Sequence, residues 1–163
     1  MEPARAALRL DRADLYLRVD EPELALADLR EVPDGARMLD WLILQARSLF
    51  AVGRPEAADA LLTEALVRYP GTAALHEVRW AVAEARQDPR RAWTSCRVVV
   101  RASAAPDPTV RCAELTARLA GEPAAVTMLR RALATRDTVL VRRELVRRLE
   151  AMGQVDAAVA VAA

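Results

Sequence analysis

Apolar and polar residues follow a helical period along most of this chain. Between Gly53 and Pro70, for example, Ala58, Leu62 and Ala65 recur three or four positions apart and share one side of a helix. Helical patterns of this kind come in pairs, and the short stretches between them carry polar residues, Gly or Pro, which end helices. The pattern predicts an all-helical chain built from pairs of helices.

One small residue recurs at a nearly constant interval. Alanines near the start of alternate helices are 33, 34, 33 and 33 residues apart, which predicts about five helix-turn-helix units. Alanine at this place lets two antiparallel helices approach closely, because it offers no bulk to the ridge of its neighbour. The five alanines are Ala25, Ala58, Ala92, Ala125 and Ala158.

The second unit carries the residues of a known repeat pattern. In order along the unit they are Leu42, Ala46, Leu49, Gly53, Ala58, Leu62, Ala65 and Pro70. In these residues the chain resembles the tetratricopeptide repeat family. The resemblance implies a right-handed superhelical α-solenoid in a single domain, residues 1–163. Its units are expected at 5–38, 39–72, 73–105, 106–138 and a truncated 139–163.

The resemblance also implies where a partner would bind. In this family the first helix of each unit lines the concave face, which binds extended peptides or partner helices. There, Ile43 and Phe50 would receive apolar groups, although Phe50 is equally well explained as part of the core. Arg143 and Arg147 share a helix face and are the best candidates for binding an anion. The implied partner-binding residues are Asp40, Ile43, Arg47, Phe50, Arg143 and Arg147.

The third and fourth units fit the pattern less closely. In the third, the simple alignment puts Trp80 where a small residue belongs, and in the fourth the turn is one residue shorter. The register of the first helix therefore stays open in both. For the third unit the two registers expose to a partner either Glu77 and Glu84 or His76, Arg79 and Arg86.

Charge and composition exclude several functions. The 24 basic and 23 acidic residues nearly cancel, so no global field attracts nucleic acid or membrane. With one histidine, no lysine and five scattered glycines, the chain lacks the usual metal, Schiff-base and phosphate-loop motifs. We therefore expect no catalytic residues, metal or cofactor, and a protein that is not an enzyme. His76 and the three tryptophans are expected to be packing or groove residues.

The two cysteines and the basic residues have simple expected roles. Cys96 and Cys112 are expected to be free buried thiols, which favours a reducing compartment and a cytoplasmic location. Adjacent arginines such as Arg147 and Arg148 are most simply solvated faces. No run of apolar residues approaches the length of a membrane span.

These observations predict a non-catalytic scaffold that binds a protein or peptide. Acidic groups on this partner would pair with the arginines of the concave face. Two alternatives stay open. One is nucleic-acid binding through the arginine-rich stretch from Arg130 to Arg148, and the other is a regulatory or oligomerisation segment of a larger protein. The apolar end Val159–Ala163 is not followed by a polar capping helix in this sequence, so we expect either that the segment was cut from a longer protein or that this end packs against another copy of the chain in a homo-oligomer.

Overall fold

The computed structural model describes residues 3–103 and 105–163. Within those ranges the chain forms ten α-helices and a short 3-10 helix at Asp34–Ala36, and it contains no β-strand. The helices are α1 (Pro3–Arg18), α2 (Pro22–Arg30), α3 (Leu39–Ala51), α4 (Pro55–Arg68), α5 (Ala73–Ala85), α6 (Pro89–Ser103), α7 (Pro106–Ala120), α8 (Glu122–Thr135), α9 (Val139–Ala151) and α10 (Val155–Ala162).

The helices belong to two compact units, Met1–Asp88 (the N-terminal unit) and Pro89–Ala163 (the C-terminal unit). Within the N-terminal unit each helix packs against the next, and the first helices of successive pairs also touch, α1 with α3 and α3 with α5. Within the C-terminal unit consecutive helices pack in the same way, and α7 touches α9. This is the packing of a helical repeat, so the predicted all-α repeat fold is confirmed.

The repeated alanines lie in the core. All five are buried, with at most 2% of their surface exposed. In each of the first four units the residue four positions after the repeated alanine is fully buried, as with Leu29, Leu62 and Leu129. Ala58 and Ala46 share one apolar cluster, which is the close approach of α3 and α4 that small residues permit.

Replacing Ala58 with leucine is expected to lower the free energy of unfolding by about 1 to 3 kcal/mol, because the added carbons have no room in the contact. Ala60→Leu is the matched control, since Ala60 is exposed on the same helix and leucine is nearly as good a helix former. Urea unfolding followed by circular dichroism measures both. Equal midpoints for the two variants would show that the alanine contact does not limit packing.

Four of the five tight turns hold three residues between helices, and the turn between α7 and α8 holds only Gly121. Gly121 has φ 89° and ψ 160°, a backbone conformation that is essentially restricted to glycine. This geometry explains the shorter fourth turn in the sequence. The other turns contain a residue in the left-handed region, which is a glycine at Gly53 and Gly153 and a larger residue at Asp20 and Gln87.

The prediction of free thiols is wrong. Cys96 of α6 and Cys112 of α7 form a disulfide, with their Cα atoms 5.6 Å apart. The two residues are separated by 16 positions, but α6 and α7 pack side by side, which brings them opposite each other. Both cysteines are fully buried, as expected, but a buried disulfide gives no support to a reducing compartment.

Candidate functional site

The first helices of the N-terminal unit enclose an open cavity of about 510 Å³. Ile43, Arg47 and Phe50 of α3 form one wall, and residues of α5 form the other. Ile43 and Phe50 are half-buried and pack against the main apolar cluster of this unit while still bordering the cavity. Both roles considered for Phe50, core packing and groove lining, are therefore present. The lining residues are Leu17, Ile43, Arg47, Phe50, Ala51, Ala74, Glu77, Val78 and Ala81.

A second cavity, of about 380 Å³, lies between α1 and α3. It shares Ile43 and Arg47 with the first cavity, so the two form one continuous surface. We call this surface the first-helix groove. Asp40 lines its α1 side, so four of the six sequence-predicted residues lie together here. The lining of the second cavity is Ala7, Leu10, Asp11, Asp14, Asp40, Ile43, Leu44 and Arg47.

The charges of the first-helix groove are mainly acidic. Arg47 is its one lining arginine, and its guanidinium lies 3.3 Å from the carboxylate of Asp14. Asp11, Asp40 and Glu77 also line the groove, without a carboxylate-to-arginine pair among the described residues. The groove therefore offers excess negative charge around an apolar centre.

The structure agrees with the first of the two open registers of the third unit at Glu77, whereas Glu84 is not among the described lining residues of the groove. Glu77 of α5 faces the first-helix groove, as the first of the two registers implies. His76 is instead buried, and its Nε2 atom lies 2.9 Å from the carbonyl oxygen of Pro70. Trp80 is buried as well, and its indole N–H donates to Glu84 over 2.8 Å. These two residues are packing residues, although the alignment places Trp80 in a small-residue position.

The remaining predicted residues, Arg143 and Arg147, lie in the C-terminal unit. Both line an open cavity of about 560 Å³ along α9. Arg147 already donates two hydrogen bonds to the carboxylate of Glu144, at 2.9 and 2.7 Å. Arg143 is exposed and has no carboxylate partner among the described residues. Of this pair, Arg143 is the one whose guanidinium is available to an anion.

Arg148 departs from the expected solvated face. It is 4% exposed, and its guanidinium donates to Glu144 and Glu122, each over 2.7 Å. Glu144 thus accepts hydrogen bonds from both Arg147 and Arg148. Burial raises the pKa of the Glu144 carboxyl, but the hydrogen bond from Arg147 and the charges of Arg148 and Arg147 outweigh it. The net result is a pKa below the ordinary value of glutamate.

The lowered pKa of Glu144 predicts a stability that depends on pH. Because the folded pKa lies below the unfolded one, the contribution of this group is fully present above about pH 4.3 and is lost as the pH falls below it. We expect Glu144→Gln to be less stable than the wild type at pH 7, with a difference that shrinks on acidification. Urea midpoints between pH 7 and the acid limit of folding measure it.

The matched control is Glu150→Gln, since Glu150 is exposed and lines the same cavity. It should stay close to the wild type throughout. A stability difference for Glu144→Gln that is constant over the whole pH range would contradict the assignment.

Nowhere in residues 3–103 or 105–163 do three His, Cys, Asp or Glu side chains come together in a way that could hold a metal ion. None of the helices described has the length and apolarity of a transmembrane span.

The paired helices and the surface formed by their first members define this chain as an all-α helical-repeat protein. Solved structures of MamA share this fold. One designated MamA AMB-1 superposes with a TM-score of 0.71 and 18% identity, covering 98% of this chain and 89% of that one. A crystal structure of MamA protein gives 0.72 and 12%, covering 96% and 87%. The structure designated MamA MSR-1 gives 0.66 and 17%, covering 96% and 92%.

At these identities the likeness shows the fold alone, and that fold supports the resemblance to tetratricopeptide repeats. No family model matches the chain, and no curated protein matches it significantly.

Proposed function

We propose that this protein is a non-catalytic scaffold whose first-helix groove holds an extended segment of a partner protein. The observation that supports this most is the continuity of the groove, which runs over α1, α3 and α5 with Ile43 and Phe50 at its centre. Half-buried apolar side chains flanked by charges are typical of surfaces that bind peptides. Solenoid proteins use surfaces of this kind for recognition.

The charges of the groove favour a basic partner. A lysine or arginine on the peptide would meet Asp11, Asp40 or Glu77, while an acidic peptide would be repelled by them. This differs from the acidic partner that the arginines of the sequence favour. We therefore propose a peptide with apolar anchor residues and at least one basic side chain.

Peptide display against the wild-type protein, followed by calorimetry on the selected peptides, tests this function. We expect basic peptides with large apolar residues to be enriched. Phe50→Ala should weaken them by about tenfold, the effect of losing one anchor. Asp40→Lys should weaken them through charge repulsion. Matched controls on α4 are Val67→Ala and Glu64→Lys, which change exposed residues outside the groove.

Selected peptides whose affinity is unchanged by both groove substitutions would show that the groove is not the binding surface. Salt provides a second criterion, since an anchored peptide should lose much less affinity than a nucleic acid between low and moderate salt.

Nucleic-acid binding by the arginine-rich stretch is less favoured than its sequence suggests. Three of its seven arginines are neutralised within the protein: Arg142 is paired with Asp137, Arg147 with Glu144, and Arg148 is buried against Glu144 and Glu122. Guanidiniums that are neutralised within the protein release few counterions from a phosphate backbone. This leaves fewer free charges than a count of arginines implies.

Self-association through α10 remains a proposal. Val155 and Val159 expose 60% and 63% of their surfaces there. Light scattering at several concentrations that shows only monomer would remove it. A cytoplasmic location is not proposed, because disulfides such as that of Cys96 and Cys112 persist mainly in oxidising compartments.

A further inference from the structure

A fourth cavity lies in the C-terminal unit, and none of the predicted partner-binding residues is among its described lining residues. It has a volume of about 320 Å³ and is enclosed by α6, α7 and α8. The volume is within the range of small-molecule sites and equals roughly ten water molecules of liquid. Its lining is Trp93, Arg97, Val100, Arg101, Thr116, Ala124, Thr127, Met128, Arg131, Ala132 and Thr135.

Two contacts orient the side chain of Trp93 in the wall of this cavity. Its indole N–H donates to the hydroxyl of Thr116 over 3.0 Å, and the guanidinium of Arg97 lies 4.8 Å from the ring centroid. The neighbouring disulfide joins Cys96 and Cys112, which are three residues after Trp93 and four before Thr116. The indole belongs to α6 and its hydrogen-bond partner belongs to α7, and the disulfide links these two helices close to the indole. This favours a preformed site.

The tryptophan in the wall of this cavity is not part of the repeat pattern. Trp93 directly follows the repeated alanine Ala92, and the same place after Ala58 and Ala25 holds Asp59 and Leu26. The repeat pattern therefore does not require a tryptophan here.

The side chains of the cavity whose hydrogen-bond donors remain available to a ligand are arginines. The hydroxyls of Thr116, Thr127 and Thr135 each donate to a carbonyl oxygen of their own helix, at 2.7, 2.8 and 3.1 Å. Arg101 on α6 and Arg131 on α8 line the cavity from different helices, and neither has a carboxylate partner among the described residues. No acidic side chain is among the lining residues that the structure describes.

We infer that this cavity binds a small organic monocarboxylate. Its apolar body lies against Trp93, Val100 and Met128, and its carboxylate accepts hydrogen bonds from Arg101 and Arg131. A ligand with a negatively charged group of acceptors at one end and carbon elsewhere is the complement of a lining whose available donors are guanidiniums and whose remaining surface is mostly apolar. The site is separate from the first-helix groove and does not depend on the proposed function.

Octanoate is the probe, because its roughly ten non-hydrogen atoms fit the volume. Calorimetry and tryptophan fluorescence at constant ionic strength should show saturable binding with one site per chain. 1-Octanol lacks the charge and should bind about tenfold more weakly or worse, because it loses a charge-assisted hydrogen bond. Acetate and inorganic phosphate lack the apolar body and should show no saturable binding.

Two variants locate the site. Arg131→Gln should weaken octanoate by about tenfold and leave octanol unchanged. Arg130→Gln is the matched control, since Arg130 is exposed, carries the same charge on the same helix and does not line the cavity. Thr127→Trp should fill the cavity and abolish binding of both octanoate and octanol.

The inference is overturned by any of three results. The first is no saturable octanoate binding to the wild type. The second is equal weakening by Arg130→Gln and Arg131→Gln, and the third is phosphate binding as strong as that of octanoate. The last two would show a general attraction of anions to a basic surface. Peptide binding by the first-helix groove is measured separately and is unaffected by these outcomes.

Discussion

Replacing Arg148 with methionine is expected to lower the free energy of unfolding by about 3 kcal/mol, the typical cost of removing one partner of a buried ion pair. Arg148 is 4% exposed and binds Glu144 and Glu122 together. Without its guanidinium the largely buried carboxylate of Glu144 keeps only the hydrogen bonds from Arg147. Urea unfolding at pH 7 measures the loss.

Two further variants make this prediction specific. Arg143→Met removes an exposed arginine from the same helix and should change the stability by less than about 0.5 kcal/mol. The double variant Glu144→Met, Arg148→Met should be more stable than Arg148→Met alone, since apolar side chains replace the whole pair. A loss for Arg148→Met no greater than that for Arg143→Met would mean that the network is not buried in solution.

Removing the disulfide is expected to cost a similar amount. For cysteines 16 residues apart, the loop-closure model gives about 3 kcal/mol, because the bond restricts the unfolded chain. The double variant Cys96→Ala, Cys112→Ala should show this loss in urea unfolding. Wild-type protein with reductant should show the same loss, and the double variant should not respond to reductant.

Alkylation of the unfolded protein gives an independent measure of the disulfide. Without reductant the wild type should take up no alkylating reagent, and with reductant it should take up two groups. Uptake of two groups without reductant would show that the thiols are free, as the sequence alone suggested.

Much of the proposed partner surface could be predicted from the sequence alone. Position within a helical repeat determines which way a side chain points from its own helix, and this placed Asp40, Ile43, Arg47 and Phe50 near one another. The structure brings these four to one groove. Their role in binding a partner is still a prediction. The acidic character of the groove was missed because the register that places Glu77 there was open, and because Arg47 of α3 is neutralised by Asp14 of α1, a residue of another repeat.

Local sequence by itself determined the helices and the repeat of this protein. The period of apolar residues sets which face of each helix is buried, and the alanines permit close packing of neighbours, so both act over a few residues. Only the tertiary structure decided the Cys96–Cys112 disulfide, the burial of Arg148 and the cavity beside Trp93. Each of these needs side chains from different helices to meet at a particular distance, and that distance is set by how the helices pack.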